Sequence, residues 1–246
     1  MNISFVLSSF YLTYVFLLTT GVITFTEALR TPIPVVRHIM NIETCISVIA
    51  CYFYGLFIAE IKKSQETPKS QETPKSQESQ DPNTTETNDK LASVIPIAKI
   101  NNMRYTDWFI TTPFMLLALS MVLSYENKKQ VKIYPFLLTL AFNFAMLLFG
   151  YLGEIRLLTK NIASFIGFIF FFLTYGTIWK LYMTGSKITS QSKYIFGIFL
   201  GVWSLYGVFY HTKESTKMFG YNVLDLISKA FIGIFFWLYL TKTVIF

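Results

Sequence analysis

The chain has 246 residues, of which 53% are hydrophobic and only 14% charged, with 25 Phe, 15 Tyr and a formal net charge of +7. That balance lies outside the range of a soluble globular domain and indicates an integral membrane protein in a lipid bilayer. The basic residues form no aromatic-interleaved patch, so nothing points to nucleic acid, and no residue is assigned to a metal.

Apolar stretches of roughly 20 residues, enough to cross ~30 Å of hydrocarbon as helix, run near 5–28, 36–59, 103–124, 132–152, 162–184, 194–212 and 221–245. The pattern predicts an all-α bundle of seven transmembrane helices, with residues 1–246 forming one domain. The first stretch lacks a basic n-region and is too long for a secretory signal before its first strong charges, Glu27 and Arg30, so it is read as a retained helix. The second carries Glu43 together with Cys45 and Cys51. Six residues of helix separate the two thiols by about 9 Å along the axis, beyond disulfide reach, so both are expected to be free.

Residues 62–101 are expected to form an outer loop. Its SQETPKSQETPKSQESQ repeat has no apolar residue with which to offset chain entropy, which predicts disorder. Asn83-Thr84-Thr85 has the form of a glycosylation sequon. The third span opens on RYTDWFITTPFM, Arg104 to Met115, with Arg104 and Asp107 three residues apart and Thr111 one turn beyond. The last span, NVLDLISKAFIGIFFWLYL, sets Asp225 and Lys229 on one face, a turn apart.

Orientation follows from Lys and Arg in the short loops. With the N-terminus outside, the inner segments hold Arg30, Arg37, Lys128, Lys129, Lys132, Lys180, Lys187, Lys193 and Lys242, against Arg156, Lys160, Lys213 and Lys217 in the short outer loops. The N-terminus is therefore expected outside and the C-terminus in the cytoplasm.

Glu43, Arg104, Asp107, Asp225 and Lys229 are the ionisable groups expected at membrane depth, where each is costly unless paired. Asp225 and Lys229 are open to two readings. They can form a structural ion pair between helices, or the desolvated amine can hold a carbonyl compound as a Schiff base, with Asp107 and Asp225 balancing its charge.

RYTDWFITTPFMLLAL resembles the third helix of microbial (type 1) rhodopsins, and DLISK resembles their seventh-helix retinal-attachment motif. WSLYGVFY is similar to their sixth-helix aromatic cluster, and GYLGE to the fourth-helix end of proteorhodopsin-like members. The resemblance covers all seven spans. It implies a bacteriorhodopsin-like bundle with all-trans retinal buried on Lys229, Asp107 as primary counterion and proton acceptor, and Asp225 as second counterion. Arg104 would hold the outer side of this complex, and Thr111 would hydrogen-bond Asp107 or an intervening water. Trp108, Thr112, Met115, Met146, Gly150, Trp203, Tyr206 and Tyr210 match retinal-lining positions, although an aromatic stripe at helical spacing also describes plain core. At least one of Phe170, Phe171 and Phe172 is expected to join them.

The third helix departs from the pattern of outward proton pumps, because Ala118 stands where they carry a carboxylate as cytoplasmic donor. Alignment on Tyr54 puts Glu43 near Ala118, where it would be a relocated donor, a cytoplasmic gate, or an interfacial group reaching water, Arg37 or His38. Glu27 and Arg37 can be topology anchors, while Glu60 and Glu154 read as outer-end charges. Glu27, Arg37 and Glu43 with Ala118 also resemble rhodopsins of giant viruses of algae and protists. The resemblance thus implies a non-enzymatic, light-activated homo-oligomeric transporter. Outward proton movement is the leading expectation, ahead of a light-gated cation channel and a sensory photoreceptor.

Overall fold

A computed structural model describes residues 3–66, 95–185 and 188–242. Seven helices in it are long and apolar enough to cross a membrane: α1 (Ile3–Arg30), α2 (Pro34–Glu66), α3 (Ile97–Glu126), α4 (Ile133–Glu154), α5 (Lys160–Tyr182), α6 (Ser190–Tyr210) and α7 (Glu214–Leu240). Helices satisfy every interior backbone donor and acceptor within the segment, the condition for crossing hydrocarbon. Most extend beyond the apolar stretches that announce them. In particular, 62–66 belongs to α2 and 97–101 to α3, so both ends of the expected outer loop are helical. The SQETPK repeat and the Asn83 sequon lie outside the described residues.

The bundle is polar inside and apolar outside. Phe5, Leu18, Phe25, Leu148, Phe165 and Tyr194 are exposed, whereas Thr13, Thr20, Thr24, Glu43, Ser47, Arg104, Asp107, Asp225 and Lys229 are buried. Consecutive helices pack side by side and α7 returns against α1, closing the ring. The spans of α3 and α7 are the most buried of the seven, so the groups they carry face the interior. Thr159 and Thr189 cap α5 and α6 by accepting from the backbone N–H of Ile162 and Ser192.

Two local features shape the centre. Pro113 lies inside α3 without ending it; a proline withholds one backbone donor and loosens the ladder there. In α7 the six residues Leu226–Phe231 form a π-helical turn, so Lys229 leaves the regular α-helix that the sequence suggests, while Asp225 is the last residue of the α-helical stretch before it. Cys45 is exposed and Cys51 buried, and both are free.

Candidate functional site

Helical spacing places Arg104, Asp107, Trp108 and Thr111 on the inward stripe of α3, all buried. α7 meets that stripe with Asp225 and Lys229. Lys229 Nζ donates to Asp107 Oδ2 at 2.5 Å and lies 3.7 Å from Asp225 Oδ1. Arg104 Nη1 donates to Asp225 Oδ2 at 3.2 Å. Two cations and two carboxylates therefore balance in one buried cluster, which is what makes charge at this depth tolerable.

The two carboxylates are held differently. Asp225 Oδ1 accepts from Tyr206 Oη at 2.8 Å and Trp108 Nε1 at 3.2 Å, and Oδ2 accepts from Tyr54 Oη at 2.9 Å as well as from Arg104. Asp107 Oδ1, also buried, has no hydrogen-bond partner among the described residues. Thr111 Oγ1 donates to the backbone carbonyl of Asp107 at 2.8 Å. The threonine's bond to Asp107 thus goes to the α3 backbone and not to the carboxylate.

Residues without sequence signals complete the network. Asn222 Oδ1 accepts from Arg104 Nη2 at 2.7 Å, and its Nδ2 donates to Ser9 Oγ at 2.8 Å. The rings of Phe10, Tyr54, Phe57 and Tyr221 surround the guanidinium at 5.2–5.8 Å. Asn143 Nδ2 donates to Thr112 Oγ1 at 2.8 Å and ties α4 to α3. Neutral amides carry no charge pattern, so only packing reveals these roles.

Beside Lys229 a cavity runs across the bundle, lined by every expected pocket residue: Trp108, Thr112 and Met115 of α3, Met146 and Gly150 of α4, and Trp203, Tyr206 and Tyr210 of α6. Of the three α5 phenylalanines, Phe171 lines it. Tyr105, Leu147, Ser164, Gly167, Phe168, Gly207 and Tyr221 also reach it and were not singled out from sequence.

Glu43 is 2% exposed. A Cβ on Gly233, one turn beyond Lys229 on α7, would lie 3.1 Å from Glu43 Oε2, so the carboxyl rests against the glycine backbone. That burial removes the interfacial reading of Glu43. Ala118 is buried in the same half of the bundle, in the cluster that holds Met40 and Ile46. Glu27 accepts from Trp237 Nε1 at 3.3 Å, and Arg37 Nη2 donates to the Thr31 carbonyl at 3.0 Å.

At the opposite end the structure corrects one expectation. Lys217, counted as a loop charge, is fully buried on α7, with Nζ 2.9 Å from both Glu154 Oε1 and Glu214 Oε1. Glu154, the last residue of α4, also accepts from Asn101 Nδ2 at 2.6 Å, so this end charge is a junction between α3, α4 and α7. Glu60 pairs with Lys99 at 2.7 Å.

Residues 5–243 match the family model described as bacteriorhodopsin-like protein. The chain belongs to the bacteriorhodopsin-like family. The fold of this rhodopsin is similar to that of viral rhodopsin OLPVRII, with 38% identity, a TM-score of 0.80 and coverage of 98% of this chain and 99% of that one. Blue light-absorbing proteorhodopsin from Med12 is 20% identical, with a TM-score of 0.67 over 97% of this chain and 98% of its own. Xanthorhodopsin, a light-driven ion pump with dual chromophore, is 18% identical, with a TM-score of 0.69 over 96% and 91%. At those identities the last two likenesses concern the fold alone. No match is found among curated proteins. Members of the family are light-driven transporters or sensors, not enzymes, and carry retinal on a lysine.

The residues present fit such a group. A lysine side chain opens onto one end of a cavity walled by Trp108, Trp203 and Tyr206, and the buried Asp107 Oδ1 beside it retains an open acceptor position. A long apolar polyene needs the first, and the nitrogen that bears it needs the second.

Proposed function

We propose that this rhodopsin moves protons outward under light, with all-trans retinal on Lys229, Asp107 as proton acceptor and Asp225 as fixed second counterion. The observation that carries this reading is the contact of Lys229 Nζ with an Asp107 carboxylate whose other oxygen has no partner among the described residues. Asp225 has its oxygens occupied by Tyr54, Arg104, Trp108 and Tyr206, and protonating it would sacrifice charge-assisted bonds. Asp107 can accept a proton from Nζ while giving up one.

Bound retinal supplies light absorption and a change of shape beside the nitrogen. The chain's own residues do the rest. Trp108, Trp203 and Tyr206 fix the cavity walls and exclude water. Arg104, held by Asn222 and Asp225, keeps a positive charge on the N-terminal side of the site. Glu43, buried against Gly233 in the other half, is the carboxyl group placed to return a proton to Nζ. Together with the N-terminus outside and C-terminus inside that the lysine and arginine distribution supports, this makes net movement outward.

A light-gated cation channel is the second reading, favoured by Ala118, an apolar residue where outward pumps carry the donor carboxylate. Photocurrent under voltage clamp, recorded with retinal added while voltage and external cations are varied, separates the two. An outward current at every voltage is expected. A current that reverses sign with the cation gradient would overturn the pump and make Glu43 part of a conducting path.

A further inference from the structure

The retinal cavity is not enclosed on every side. α5 and α6 are filled by aromatic contacts in their cytoplasm-directed halves, where Tyr175 meets Phe196 at 5.8 Å and Trp203 at 5.9 Å, and Trp179 meets Phe196 at 5.3 Å. At the level of the cavity the filling changes character. Ser164 and Phe168 of α5 and Gly207 of α6 line the cavity and are also partly exposed. Gly207 offers no side chain, and the Phe168 ring takes the space: a Cβ there would overlap Phe168 Cζ. One ring from one helix, resting on a bare backbone on the other, closes this stretch of wall.

We propose that Phe168 seated on Gly207 is the door of a lateral portal between α5 and α6, through which all-trans retinal passes from the bilayer to Lys229. The inference rests on the reading of Lys229 as the attachment site. Retinal is apolar and partitions into lipid, so a route through the wall avoids both ends of the bundle. Those ends are obstructed in any case. On one side stand the Lys217–Glu154–Glu214 cluster and an Arg104 enclosed by rings; on the other lies the buried core around Ile39, Leu119 and Phe236. A molecule that goes in aldehyde first through this portal meets Lys229 at the far end and leaves its ring near Ser164 and Gly167. The door is a single aromatic side chain, which swings about its own rotatable bonds without moving backbone.

The test uses the full chain expressed in membranes without retinal. All-trans retinal is then added, and growth of the visible band is followed and normalised to each variant's final band. Phe168→Ala removes the door and is expected to speed regeneration severalfold, whereas Ser164→Trp fills the mouth and is expected to slow it by about tenfold, roughly 1.4 kcal/mol of barrier. Leu148→Trp, on the lipid face of α4 and outside the cavity lining, is the control and should regenerate as the wild type does. Should Ser164→Trp fail to fold, Phe168→Ala alone decides. Unchanged rates in a chain that forms pigment normally, or equal slowing by Leu148→Trp, would overturn the portal and leave the Lys229 reading intact. Absence of any visible band in the wild type would overturn both.

Discussion

At the scale of single residues, the site turns on a difference between two aspartates that look equivalent in the sequence. Among the described residues, the Asp225 carboxylate serves as acceptor for four side chains from α2, α3 and α6, and that of Asp107 for Lys229 alone. Nothing in the strings RYTDW and DLISK shows that inequality, because hydrogen-bond partners from other helices are set by packing. The charges themselves were legible, since an intramembrane Arg, Lys or Asp has few bland explanations. Asp107→Asn removes the negative charge beside the nitrogen. A unit charge about 4 Å away is worth about 4 kcal/mol at an effective dielectric of about 20, and an anion there favours the ground state, whose positive charge sits on the nitrogen. The visible band of this variant should therefore move to the red in an absorption spectrum, and an unmoved band would assign the main counterion elsewhere.

At the scale of elements, the seven spans could be read from apolar length alone, because hydrocarbon thickness fixes how long a helix must be. Their ends could not. Lys217 lies four residues into α7, where a charge ordinarily reads as loop, yet its ammonium is buried between carboxylates of α4 and α7. The signal available was Glu214 three residues before it and Glu154 at the end of α4, but only the bundle brings the second within reach. Lys217→Met should lower stability by about 2 kcal/mol, less than the ~3–5 of a wholly buried pair because Glu214 retains solvent contact. Thermal unfolding of the purified protein would show it, and adding Glu154→Gln should restore part of the loss. If Lys217→Met melts with the wild type, the cluster contributes nothing to holding α3, α4 and α7 together. The π-helical turn was likewise illegible: LISKAF has no composition that distinguishes it from ordinary helix.

For the whole molecule, the buried polar groups trace a partial line across the bundle. From the Glu154–Lys217 end it runs through Tyr221, Arg104 and Asp225 to Lys229, and continues as Gly233 and Glu43. α2 runs alongside with Tyr54, Ser47 and Glu43 on its inward face, Ser47 Oγ having no partner among the described residues. Outward transport requires the half beyond Lys229 to resupply a proton, and Glu43 is the carboxyl group found against α7 there. Glu43→Gln should slow recovery of the Lys229 proton by about 10²-fold, the lower end of what a positioned acid contributes. Flash photolysis measures it, and an unchanged recovery would remove Glu43 from the path.

The π-helical turn at Leu226–Phe231 also makes α7 two rods joined by a bearing. Its backbone register belongs to neither flank, and such turns, rare in general, are frequent at functional sites. The Glu214–Asp225 rod is pinned by Lys217 and Asp225 to four neighbouring helices. The Ile232–Leu240 rod carries Gly233, against which Glu43 rests. A push delivered at Lys229 therefore arrives at the joint itself, where it can turn the second rod against Glu43 while the first stays anchored.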